Sequence, residues 1–191
     1  MIEAKNIREA LKFPFEQDNW LRKAAIGSVL ALASLLIIPA PLLLGYFMRV
    51  FRSDSMPEFS NYLDMYIEGL KALFVIALYM IPGFAIMAAF EGALLILGGL
   101  IFFLSIYILD SGLYHLANDG LRKAFSLQAL RDAFTLNYFL GLIVSAVVAN
   151  VLFIIWGFST LLIIPVLLFP TLNFYQIVFR FRIMKEAIEA D

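Results

Sequence analysis

From Asn137 to Phe179 the chain runs for about 43 residues without one charged side chain. A single membrane crossing needs about 20 apolar residues. A run twice that long, holding Gly157, Pro165 and Pro170, predicts two antiparallel helices in lipid with the reversal at Trp156-Gly157. The rest of the chain agrees. It is 63% hydrophobic and 15% charged, with a mean hydropathy of +0.91, whereas soluble domains carry about 25% charged residues. The expected fold class is an all-α integral membrane protein.

Taken in order, residues 1–15 predict an interfacial helix. Ala4, Ile7 and Leu11 recur at helical spacing opposite Glu3, Lys5, Arg8, Glu9 and Lys12, and Pro14 stops the run. Residues 20–52 form a Pro-broken first segment, read either as one span or as a hairpin bent at Pro39 and Pro41. Residues 56–71 predict a second interfacial helix, with Phe59, Leu63, Tyr66, Ile67 and Leu70 on one face. Residues 72–118 predict a hairpin turning at Glu91-Gly92. Ser126 caps a third interfacial helix over 126–135, with Leu127, Leu130 and Phe134 opposite Gln128, Arg131 and Asp132. Residues 137–182 form the final hairpin. The total is five to six membrane helices in one polytopic domain.

The hairpins read as a pseudo-repeat. The pentapeptide LLIIP occurs at Leu35–Pro39 and again at Leu161–Pro165, and Val50-Phe51-Arg52 is echoed by Val178-Phe179-Arg180. Duplicated hairpins suit a transporter but also arise because such units pack well.

Charge sets the orientation. Arg49, Arg52, Lys71, Arg122, Lys123, Arg131, Arg180, Arg182 and Lys185 fall on segments that alternate with the turns at Glu91 and Trp156-Gly157, which hold no cation. The positive-inside rule places those segments and the C-terminus in the cytoplasm. The cationic N-terminal arm joins them if the first segment bends back. That arm is too long and too acidic for a signal peptide, so no cleavage is expected.

The remaining composition excludes several chemistries. With no cysteine there is no disulfide and no thiolate metal site, and a single histidine, His115, cannot build a multi-histidine site. A net charge of −1 gives no pull toward nucleic acid. No cofactor is expected, and no nucleophile–base pair or phosphate loop points to an enzyme.

A family resemblance rests on Lys12-Phe13-Pro14, Asp18-Asn19-Trp20-Leu21-Arg22-Lys23, Ile26-Gly27 and Ile38-Pro39. It continues through Gly45-Tyr46, Arg49-Val50, Arg52, Pro57-Glu58-Phe59 and Gly69-Leu70-Lys71-Ala72. In these motifs the chain resembles the domain of unknown function 4013 family. The resemblance implies a multi-pass protein in the cell membrane of a prokaryote, archaeal or bacterial, and implies no activity for any residue.

Six residues are the candidate site. Asp110 and Tyr114 lie one turn apart with His115 beside them, and Asn118 continues the stripe. A carboxylate at the bilayer centre costs about 2.5–3.5 kcal/mol, so it is expected to have a task. One task is a polar stripe for a headgroup, an ion or a proton. The other is an ion pair with Arg49 or Arg180 that locks hairpins together. Arg49, Arg52 and Arg180 are equally suited to gripping lipid phosphate and to snorkelling. Asn150, Asn173 and Gln176 are expected to hydrogen-bond between helices. The function expected from all this is a non-enzymatic membrane scaffold or accessory subunit contacting lipids, itself or other membrane proteins. A small oligomeric transporter or channel using the stripe around Asp110 is the alternative.

Overall fold

The computed structural model describes residues 3–33, 38–159 and 165–190. Among them every regular element is helical. The helices are α1 (Ala4–Lys12), α2 (Trp20–Ala33), α3 (Ala40–Arg52), α4 (Tyr62–Ala89) and α5 (Ala93–Asp119), followed by α6 (Leu121–Ala124), α7 (Leu127–Ala133), α8 (Leu136–Ser159) and α9 (Pro165–Glu189). A 3-10 turn over Phe13–Phe15 follows α1, with Pro14 inside it. The three helices α4, α5 and α8, the last counted over Leu136–Gly157, are long and apolar enough to cross a membrane. Both copies of LLIIP fall largely outside the described residues.

The first segment folds back. Lys23 Nζ, at the start of α2, donates to the Met56 carbonyl at 2.7 Å and pairs with Glu58 Oε1 at 2.8 Å. Asn19 Nδ2 donates to the same Glu58 oxygen at 2.8 Å. The beginning of α2 and the chain leaving α3 therefore lie side by side, so α2 and α3 run in opposite directions. Pro39 caps α3.

Residues 56–71 are not a separate surface helix. A left-handed Asn61 (φ 50°) and Pro57 precede α4, and nothing between Tyr62 and Ala89 breaks it, so the amphipathic turns and the span fuse into 28 residues. Pro82 sits inside α4 without ending it. The turn expected at Trp156-Gly157 is also displaced, because α8 continues through both residues to Ser159. A lone Gly costs a helix only about 1 kcal/mol, which apolar packing overrides. At Glu91-Gly92 the reversal lies where the sequence puts it, with Gly92 at φ 63°.

The core sits at the polar end and is aromatic. Tyr46 stacks on Phe59 at 4.0 Å, Phe51 meets Phe181 at 4.5 Å, and Phe47 meets Phe181 at 5.4 Å. Here α3 is wrapped by α4 and α9. Gly45 and Gly69 let the α3 and α4 backbones touch: a Cβ on Gly45 would land on the Met65 carbonyl, and one on Gly69 on the Pro41 carbonyl. Away from this end the helices present Phe84, Phe103, Val147 and Ile154 outward.

Candidate functional site

The candidate residues all lie at the polar end. Asp110 is 3% exposed on α5 and receives both Nε (2.9 Å) and Nη2 (2.8 Å) of Arg180 from α9 on one oxygen. Beside it Ser111 Oγ donates to the Ala129 carbonyl at 2.8 Å, and Tyr138 OH donates to the Tyr107 carbonyl at 2.5 Å. Of the two partners the sequence offered Asp110, Arg180 is the one that meets it. The contact joins the 93–119 helix to the last one.

Arg49 and Arg52 both bind within the chain. Glu68 of α4 lies between them, 3.6 Å from Arg49 Nε and 2.5 Å from Arg52 Nη1. Arg49 Nη1 also donates to the Ser60 carbonyl at 2.6 Å, and Arg52 Nε to the Ala117 carbonyl at 2.5 Å. Both guanidinium groups thus bind chain atoms from α4, α5 and the loop before α4. A charged acceptor roughly doubles the strength of such bonds.

Tyr114 and His115 line a polar cleft of about 830 Å³ together with Asn118, Asp119, Arg131 and Asp132. Tyr114 OH donates to Glu189 Oε1 at 3.1 Å. The His115 ring is 2% exposed, with Nδ1 2.9 Å from Asp119 and Nε2 2.7 Å from Asp132. The ring lies between the two carboxyl groups, bracing α7 against α5. Ser126 caps α7 as expected, accepting from Ala129 N at 3.2 Å. Ala129 and Ala133 face the protein while Leu127, Leu130 and Phe134 face out.

Several functional-looking contacts escape a reading of the sequence. Lys23, named there only within the Asp18–Lys23 motif, is 1% exposed under the 56–58 loop. Its amine also meets Gln17. At the far end of α9, Lys185 Nζ pairs with Asp54 at 2.7 Å and Arg182 with Glu186 at 2.6 Å. Asn6 Nδ2 donates to Glu186 at 3.2 Å, and Arg182 lies 4.9 Å over the Phe13 ring. The basic run at 180–185 was the only sequence signal for this network. The hydrogen bond from Lys185 holds the Asp54 carboxyl below its ordinary pKa, and those from Lys23 and Asn19 do the same for Glu58.

Asn150, Asn173 and Gln176 do not bond to one another. Asn150 Nδ2 donates to its own helix at the Ala146 carbonyl, 2.8 Å away. Among the described residues the side chains of Asn173 and Gln176 have no hydrogen-bond partner. Among those residues, too, no cluster of His, Asp or Glu has the arrangement of a metal site.

No curated protein and no solved structure matches the chain. A family described as "Protein of unknown function (DUF4013)" matches residues 30–168, a stretch that includes the glycine crossing of α3 and α4, the Glu68 ion pairs and the His115 contacts, and Asp110 without its partner Arg180. With most of its length matched, the chain belongs to the DUF4013 family.

Proposed function

We propose that the protein is a non-enzymatic membrane scaffold or accessory subunit, with a rigid cytoplasmic platform set on a bundle of lipid-embedded hairpins. The observation that carries this reading is the use made of its charged side chains. Asp110, Arg49, Arg52, Glu68, Lys23, Lys185 and Arg182 each tie together elements far apart in sequence. Such groups brace a surface rather than line a path.

In this reading α2 and α3 form a re-entrant hairpin. At 1.5 Å per residue, the 14 residues of α2 reach about 21 Å, short of the roughly 30 Å hydrocarbon layer. Both termini then share the cytoplasmic face with α6 and α7. That collar fits the headgroup layer: Leu127 is 84% and Phe134 61% exposed, and Arg122, Lys123 and Arg131 have no ion pair among the described residues.

Native mass spectrometry of protein released from vesicles holding anionic and zwitterionic phospholipids tests the proposal. Retained anionic lipid is expected, and it falls when Arg122, Lys123 and Arg131 are all changed to Gln. A monomer that retains no lipid and captures no second copy overturns it. The polar cleft beside Tyr114 favours a second reading, a small oligomeric transporter. Solute flux in proteoliposomes that Asp110→Asn abolishes would select that alternative.

A further inference from the structure

Between α8 and α9 lies a groove of about 420 Å³ whose lining includes Asn150, Phe153, Trp156, Phe169, Asn173 and Gln176. Three amides at one level of an apolar helix pair need a reason. Counting from Arg180, Gln176 lies about 6 Å and Asn173 about 10 Å deeper along α9. Asn150 is its neighbour on α8. At that depth hydrocarbon offers no hydrogen bonds, and an unmatched amide is costly.

The amides do not bond across the groove, and the Asn150 carbonyl oxygen and both groups of Asn173 and Gln176 remain for an occupant. The wall beside them is a row of rings: Phe153 to Trp156 is 5.4 Å between centroids, and Trp156 to Phe169 is 5.1 Å. Phe153, Val151 and Ile154 open on the lipid side.

These features define the ligand. No charged residue lines the groove, so the occupant is neutral. The rings favour a flat conjugated body stacked against them. Amides at this level ask for carbonyl or hydroxyl oxygens on that body. An acyl chain satisfies none of the amides, and a phospholipid headgroup stays at the surface. We infer that the α8–α9 groove binds a lipid-soluble ring compound bearing carbonyl or hydroxyl oxygens, of the prenyl-quinone and quinol class. The ring rests on Phe153, Trp156 and Phe169, the oxygens meet Asn173 and Gln176, and the tail leaves between the helices into lipid.

Trp156 reports directly on the site. In the full chain carrying Trp20→Phe it is the sole indole, and a benzoquinone with a decyl tail quenches indole on contact. In proteoliposomes the expected quench of Trp156 saturates, on top of the linear collisional quench given by Trp156→Phe with Trp20 retained. Asn173→Leu together with Gln176→Leu should weaken the saturable part at least tenfold. If that pair misfolds, competition on the unaltered groove decides. Excess decyl-quinol should displace the quinone, and excess oleate should not. A quench linear in both proteins overturns the inference, as does equal displacement by oleate. A concentration-dependent dimer that Asn173→Leu removes, without saturable quenching, also overturns it and assigns the groove to a second copy.

Discussion

Arg180 reaches Asp110 across 70 positions of sequence, its Nε at 2.9 Å and its Nη2 at 2.8 Å from one carboxylate oxygen. The two partners are not equivalent. The Asp110 side chain is 5% exposed and cannot reach water, whereas Arg180 is 34% exposed and can extend toward the headgroups. Arg180→Leu, which strands the carboxylate, is therefore expected to cost about 3–5 kcal/mol. Asp110→Leu should cost less than half of that. The double change to Asp110→Leu with Arg180→Met should recover most of the loss, since a buried pair replaced by apolar groups is often neutral. Denaturant titration in mixed micelles measures all three. Equal losses in both single variants would contradict the asymmetry, and a double variant that recovers nothing would show that the pair does not lock α5 to α9.

The glycine crossing gives a second expectation. Gly69→Ala pushes a methyl into the Pro41 carbonyl, where backbone and not a movable side chain stands in the way. Overpacking of this kind costs about 1–3 kcal/mol. Gly99→Ala is the control: its Cβ meets nothing within 4 Å. There the helix gains about 0.5–1 kcal/mol from the lost chain entropy of glycine. Thermal unfolding of the two variants should move in opposite directions.

Topology is directly measurable because the chain has no cysteine. Single cysteines at Glu91 and Gly157 are expected to react with an impermeant maleimide in intact cells. Those at Ala4, Ser55 and Lys123 are expected to stay protected. Labelling at Ala4 with Ser55 protected would mean that the first segment crosses once, and the re-entrant hairpin would be withdrawn.

The carboxylates at Asp54 and Glu58 set a pH dependence. Both are held below their ordinary pKa when folded, Asp54 by Lys185 and Glu58 by Lys23. A depressed folded pKa gives stability that is present above the unfolded value and lost as pH falls through the folded one. The Tm difference between the natural chain and Asp54→Asn with Glu58→Gln should thus be constant from pH 8 to 5 and shrink below about pH 4. Both groups are largely exposed, so the difference is small. A difference that grows on acidification would contradict the assigned contacts.

How much of this was legible in the sequence depends on the range of the signal. Uncharged runs mark α4, α5 and α8 because hydrocarbon thickness acts on every residue of a span. Asp110 stood out for the same reason, and its partner was narrowed to two arginines, but choosing Arg180 over Arg49 needs the packing of α9 on α5. Lys23 was opaque. Its burial depends on the 56–58 loop folding over it, and no local pattern encodes that. The separation of 56–71 from 72–90 failed because a change of polarity at Lys71-Ala72 is no helix stop. The amides at 150, 173 and 176 were seen, while their lack of mutual contact depends on helix rotation that spacing leaves free.

The seating of α2 against α9 bears on how the protein is made. Gly27 faces the Phe174 ring so closely that a methyl there has no room, and Ser28 Oγ donates to Thr171 Oγ1 at 3.0 Å. The wall that α2 needs is thus synthesised long after α2 itself leaves the ribosome. A helix of 14 residues is too short to halt in the translocon as a crossing segment. In the proposed re-entrant arrangement, the amino-terminal hairpin can therefore complete its packing only after α9 has been made.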